Sequence, residues 1–426
     1  MNGRWLRRMG AGLCIALLAP PGLWLLLVAG APTGWARDRL VAALRRETGH
    51  EVRLEAVRVG FLGELKLQGL ELARPDRVDD PWLRAESILI DVNAAELLGG
   101  CLEPGWVEAR GVFLRVHRDA NGQFELGHLL RHHPRPSGDA APGASASEEA
   151  LPEVGFRLAE ARVVIIDEPT GTRLELADLG GQGTWRPDRT TLRELRGRLN
   201  GGPCLLEGEF ERGPGCPMFE GELHARKVAI GQGMGLLGYI APVLAGTSTG
   251  LEGRLDLNLY LRGQGDTPGE LERSVIGRGA VRIDPVTLDE SPILAELGRV
   301  LALPRGVRVG SVGGDFEVAR GRVATRDLTV EVGGLPIVLD GWTDYGGRVD
   351  YRIRSEGVAE AVARELRSLF EDLPVRVDDV LDLRLRGEPG RYELTLGGLP
   401  INRDWPSDEK ARLREAAWLL RDRLLR

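Results

Sequence analysis

The sequence predicts a mainly β protein: a long antiparallel sheet with one apolar face, a few amphipathic helices and one N-terminal transmembrane helix. Three observations carry this. Apolar and polar residues alternate with period two in run after run, the pattern of a sheet with one buried face. Glycine is abundant, at 58 of 426 residues, and Gly-Gly pairs recur from Gly99-Gly100 to Gly397-Gly398, as frequent tight turns require. Residues 9–35 carry no charge at all.

That uncharged stretch comes first in the chain. About 20 apolar residues cross a bilayer, so Met9 to Trp35 is long enough, and Pro20-Pro21 would kink the span without preventing insertion. A cleaved signal peptide has a shorter apolar core, roughly 7–15 residues. Residues 1–35 therefore read as a cytoplasmic tail and anchor. Basic residues flank both ends (Arg4, Arg7 and Arg8 before; Arg37, Arg39, Arg45 and Arg46 after), so charge alone does not set the orientation. A short N-terminal tail is readily retained while a long domain is translocated. The expected placement is single-pass in an inner membrane with the body in the periplasm.

Asp38 to Thr48 follows as a short amphipathic helix with Leu40, Ala43 and Leu44 on one face, ended by Gly49. Strands then begin. Val52, Leu54 and Ala56 alternate with charges, as do Leu65 and Leu67. At Gly69 the phase slips, and Leu70 and Leu72 resume one residue out of step, the mark of a bulge or bend. Further strands are expected at 85–92 and 105–117. These elements make a first β section over residues 36–133. Residues 134–154, rich in Pro, Ala, Ser and Gly, form a linker or exposed loop.

The main β body spans 155–403. Its clearest runs centre on Leu257, Val330, Tyr351, Leu383 and Leu394, with a turn at Glu388-Pro389-Gly390-Arg391. Helical spacing appears at 231–244, 291–303 and 358–373. Residues 404–426 hold a basic amphipathic helix capped by Ser407. A helix docked on the end of the sheet explains it, and so does contact with an anionic surface. On the order of 20 strands at roughly 4.8 Å each would span about 95 Å. Open sheets beyond about ten strands curl or split, so the apolar face needs a cover: a second sheet, its own curl, helices or a lipid.

Chemistry is sparse. The net charge of -7 argues against nucleic acid as a partner. No nucleophile elbow, phosphate loop or zinc-protease motif is present, and no catalytic residue or cofactor is expected. His128, His132 and His133 cluster before the linker without a nearby carboxylate or thiol, so they read as a solvated group rather than a metal site. Cys204 and Cys216 leave a disulfide open. A turn at 212–215 would place Cys204 opposite a residue near Glu222 or Leu223 rather than Cys216, which is unfavourable for that bridge.

Several blocks together resemble the AsmA-like family of bacterial envelope proteins. They are the anchor, the helix ending at Gly49, VRLEAVRVGFLGELKLQGLEL, LLGYIAPVLAG, GLEGRLDLNLYLRGQG, VIGRGAVRID, SPILAELGRVLAL and GDFEVARGRVATRDLTVEVGGLPIVLDGWTDYGGRVDYRI. The resemblance covers most of the chain and rests on block order rather than a rigid motif. It implies a curled, taco-like β-groove that carries phospholipid through the periplasm or maintains the outer membrane. The implied partners are phospholipid and the inner membrane, with room for other envelope proteins. The implied lining is Leu255, Leu257, Leu259 and Leu261, then Leu328, Val330 and Val332, then Leu381, Leu383, Leu385, Leu394 and Leu396. The groove's mouth is expected close to the membrane. The body is short for a bridge between two membranes. A structural scaffold with a dry, packed core fits the same alternation.

Overall fold

A computed structural model describes residues 33–59, 64–92, 104–121, 153–212, 216–231, 237–240, 252–265, 268–287, 309–332, 335–354, 383–388, 391–396 and 399–400. The histidines at 128, 132 and 133 and the helical segments expected at 291–303, 358–373 and 404–426 lie outside these residues. So do residues 1–32, which hold most of the expected membrane span. Among the described residues no helix is long and apolar enough to cross a membrane.

Helix α1 runs Thr33–Thr48, beginning five residues ahead of the expected start. Its end is as expected: Gly49 takes φ +68°, and its N–H donates to the Arg45 carbonyl at 2.9 Å. That left-handed cap satisfies one of the carbonyls a helix leaves open. The Thr48 hydroxyl donates to the Leu44 carbonyl at 2.7 Å.

Nineteen strand segments form one sheet. They are β1 (Glu51–Arg53), β2 (Ala56–Val59), β3 (Glu64–Ala73), β4 (Leu83–Val92), β5 (Pro104–Arg118), β6 (Val154–Asp167), β7 (Thr172–Trp185), β8 (Arg189–Leu199), β9 (Gly202–Glu211), β10 (Met218–Ile230), β11 (Glu252–Gln264), β12 (Ile276–Thr287), β13 (Val309–Ala319), β14 (Arg322–Val332), β15 (Leu335–Asp344), β16 (Val349–Arg354), β17 (Leu383–Glu388), β18 (Arg391–Leu396) and β19 (Leu399–Pro400). Two short helices interrupt the series, α2 (Leu237–Ile240) and α3 (Pro268–Ser274). Strands β1 and β2 both pair with β3, so they act as one broken edge strand. From β3 onward each strand pairs with the next in sequence, through to β19.

One ladder departs from the expected antiparallel pattern. β5 and β6 run parallel, with Trp106 opposite Gly155 and Arg118 opposite Asp167. Parallel neighbours need a crossover that returns the chain to its starting end. Here residues 119–153 make that return over a strand roughly 45 Å long at 3.3 Å per residue. The Pro/Ala-rich segment expected as a linker lies between these two strands in sequence, and its residues 134–152 are outside the described residues. The sheet itself continues unbroken from the first β section into the main body. At about 4.8 Å per strand the eighteen positions run to roughly 80 Å.

Several strands carry a residue with positive φ inside the ladder. Gly69, Gly111, Glu160, Asp178, Glu194, Lys227 and Asp327 lie between +48° and +62°. At Glu160, Asp178, Glu194, Lys227 and Asp327 the register shifts by one residue against a neighbour. These are β-bulges, which bend a strand and increase its twist. The slip expected at Gly69 is real. Leu67 and Leu70 are both buried although three apart, and so are Ala85 and Ile88 on β4.

Candidate functional site

Directly paired residues of a ladder stand on the same face of the sheet, so one row can be followed from strand to strand. Val57 pairs with Leu67, Leu67 with Ile88, Ile88 with Ala109, Ala109 with Leu158, and Leu158 with Gly181. Gly181 abuts Leu195. Leu195 pairs with Leu206, Leu206 with Leu223, and Leu223 with Leu259. The row goes on through Gly279, Phe316, Thr325, Gly341, Tyr351 and Leu385 to Leu394. It crosses every strand from β2 to β18 with no charged residue. The apolar face is thus one continuous surface.

Its filling changes along the way. At the β1 end, Leu40 and Leu44 of α1 are each 3% exposed and pack with Val52, Leu67, Trp82 and Ile90 in one cluster. At the far end, Val312, Phe316, Leu328, Ile337, Tyr351 and Leu385 are all fully buried, and Leu237 of α2 belongs to their cluster. Between the two, Leu158, Leu176, Leu206, Leu223, Leu257, Leu259 and Leu261 are half-buried, interleaved with Leu179, Leu195, Ala225, Val228 and Leu255, which are buried. Phe210, at the rim of this stretch, is 39% exposed. The half-open stretch runs from β5 to β11, six steps, or roughly 29 Å.

Aromatic rings cover glycines at three points along the face. The side chains of Phe156, Phe219 and Phe316 lie where a Cβ on Gly183, Gly263 and Gly279 would stand. Each ring thus covers a neighbouring glycine, a contact that pins register in curved sheets.

The expected lining divides between the two environments. Leu255, Leu328, Val330, Val332, Leu383 and Leu385 are buried. Leu257, Leu259 and Leu261 belong to the half-open stretch. Leu394 and Leu396 pair with Leu385 and Leu383 in the ladder, and Leu381 lies outside the described residues. Sequence reasoning missed Leu158, Leu176, Leu206, Leu223 and Phe210. Their strands contain bulges and paired leucines such as Leu205-Leu206, which break strict alternation. The available signal was the phase slip itself, repeated strand after strand.

The opposite face is charged and largely self-paired. Arg198 pairs with Asp178, Arg189 with Glu209 and Glu211, and Arg354 with Asp327 at 2.5 Å. Arg115 reaches Asp80 at 2.6 Å, and that hydrogen bond holds the Asp80 carboxyl below its ordinary range. Tyr260 donates to Glu220 at 2.9 Å, which raises the phenol above its usual value. A polar contact lies on the apolar side: the Tyr351 hydroxyl meets Thr343 Oγ1 at 3.0 Å. Burial pushes the Tyr351 phenol up.

Cys204 is buried, Cys216 is exposed, and both thiols are free. The expected register is corrected: Cys204 stands opposite Ala225, because Glu211 pairs with Met218 and leaves a six-residue loop, 212–217. Cys216 sits in that loop, at the far end of the β9–β10 hairpin from Cys204. Among the described residues no cluster of His, Cys, Asp or Glu could hold a metal ion.

Fold and site together define a class, a long open sheet with a single continuous apolar face. No family model, curated protein or solved structure matches this chain.

Proposed function

We propose that the chain is a membrane-anchored lipid-binding protein of the cell envelope. In this reading its sheet curls into a groove, and the stretch from β5 to β11 holds acyl chains. One observation carries it: an apolar row crosses the sheet without a charge, yet remains half-open in the middle. Dry core would bury these leucines as completely as it does Leu328 or Ile337. Phe210 is exposed and the leucines around it are partly so, and apolar surface gathered on one face favours an interaction site. A stretch of roughly 29 Å is comparable with the 30 Å hydrocarbon core of a bilayer, which holds two layers of chains.

The bulges favour curling, since each bends its strand. The uncharged residues 9–35 favour an anchor, and α1 would then tie the first end of the sheet to the membrane. That end is filled by Leu40 and Leu44, so the mouth belongs farther along the sheet, from β5 onward. Carriage of phospholipid across the periplasm, in the manner of the AsmA-like proteins that the sequence resembles, is the reading that unites these features.

Native mass spectrometry of the purified full chain tests this, with vesicle-to-vesicle transfer as the functional readout. Co-purifying phospholipid and transfer above background are expected. A chain that arrives empty and transfers nothing refutes the proposal. The fully buried face from β13 to β17 favours a second reading, a scaffold with a dry core. In that case lipid would be absent and the half-open stretch would be covered by a partner protein.

A further inference from the structure

Four adjacent strands, β3 to β6, and the break between β1 and β2 share a single transverse line. By register, Glu55 stands beside Gly69, Gly69 beside Glu86, Glu86 beside Gly111, and Gly111 beside Glu160. The Glu55 N–H donates to the Gln68 carbonyl at 3.0 Å, which fixes the first of these contacts. Gly69, Gly111 and Glu160 hold φ of +62°, +60° and +56°. The Glu55 and Glu86 side chains lie across the two glycines, where a Cβ would stand. Displaced along the strands, the line continues through the bulges at Asp178 and Glu194.

A left-handed residue rotates the strand about that point, and a lone bulge bends one strand. The same rotation at one level on β3, β5 and β6, with β4 between them turning its apolar side chains in step at Ala85 and Ile88, folds the sheet along a line. Apolar side chains on both sides then turn to the same face, as Leu67 and Leu70 do. Glutamate at positive φ is uncommon and costly, because its Cβ crowds the following carbonyl. Its persistence at 160 and 194 means that the surrounding sheet imposes the conformation.

We propose that this crease sets how far the apolar face opens, and so determines the bulk of the cargo admitted between β5 and β11. The inference rests on the lipid-binding reading for its cargo, but not for its geometry. Gly69, Gly111 and Glu160 are thereby specificity-determining residues that touch no cargo.

The test combines a distance with a lipid load. Spin labels at Arg84 and Asp91 of β4 straddle the line on the exposed face. Gly69→Val with Gly111→Val forbids the left-handed conformation, whereas Gly69→Asn with Gly111→Asn tolerates it. The valine pair is expected to shift the label distance distribution and to change bound phospholipid per chain at least twofold. The asparagine pair should reproduce the parent on both counts.

A folded valine pair with the parent distance overturns the crease. A shifted distance with an unchanged lipid load overturns its control of cargo. If the valine pair does not fold, Glu160→Val against Glu160→Gly, with labels at Arg173 and Gln182 of β7, asks the same question of one strand. An unchanged distance there also overturns the proposal. A parent chain that carries no lipid refutes the lipid-binding reading instead, and the distances still decide the crease.

Discussion

Charge inserted at two points of the apolar face should separate closed core from open stretch. Val330 is 1% exposed and is paired with Val312 and Ile337. A lysine there has no aqueous exit and must be held neutral. Between its ordinary pKa of about 10.4 and pH 7 lie 3.4 units, so neutralisation costs about 4–5 kcal/mol. Against a total stability of roughly 5–15 kcal/mol that is close to unfolding. Leu259 is half-buried between Leu223 and Gly279. A lysine there can extend its ammonium to water along its own stem. Only about half of a buried leucine's transfer energy is lost, about 1 kcal/mol. Pulse proteolysis of the full chain in nanodiscs, across a urea series, measures both variants. Val330→Lys should fall by at least about 3 kcal/mol more than Leu259→Lys. Leu259→Lys should stay folded and, on the proposed lipid-binding function, lose bound lipid. Equal destabilisation of the two would refute the distinction and make the whole face dry core.

Other outcomes follow from single contacts. Leu44→Ala, at a position 3% exposed against the β1–β4 cluster, should cost about 2–4 kcal/mol and loosen α1, read as faster amide exchange in α1 and β1. Tyr351→Phe should cost about 1 kcal/mol near neutral pH, because Thr343 loses its buried partner. The folded-state pKa of Tyr351 is raised by burial. Its contribution is therefore complete below the unfolded value of about 10 and is lost as pH rises through the folded value. The phenylalanine variant should show a shallower alkaline loss in a pH series of urea midpoints. In native buffer a maleimide should label Cys216 and spare buried Cys204, whose thiol burial pushes up. Intact mass without reductant should show no bridge between them.

Particular residues show what was legible. The alternation around Leu257, Val330, Tyr351 and Leu383 marked strands that exist, and Gly49 marked the end of α1. Gly69 was legible as a bend because glycine signals positive φ. Glu160, Glu194 and Lys227 adopt the same conformation with nothing in their identity to announce it, and Asp178 and Asp327 with only the mild preference of aspartate for it. The ladders on either side impose it. The parallel β5–β6 pair was equally silent, since a crossover and a hairpin loop differ in where the chain returns, not in composition. The Cys204 register failed because the loop closes at Glu211 and Met218 rather than around Gly213-Pro214.

By itself the sequence determined a mainly β chain whose strands each carry one apolar side, behind an uncharged N-terminal stretch. Periodicity and charge are local properties, and each segment carries its own. Only the tertiary structure decided that the apolar sides of the strands from β2 to β18 join into one face. It also decided that α1 closes one end of that face, and that the stretch from β5 to β11 remains half-open. Burial depends on which neighbours arrive. Leu259 and Leu328 read alike in sequence, and they differ only in what stands over them.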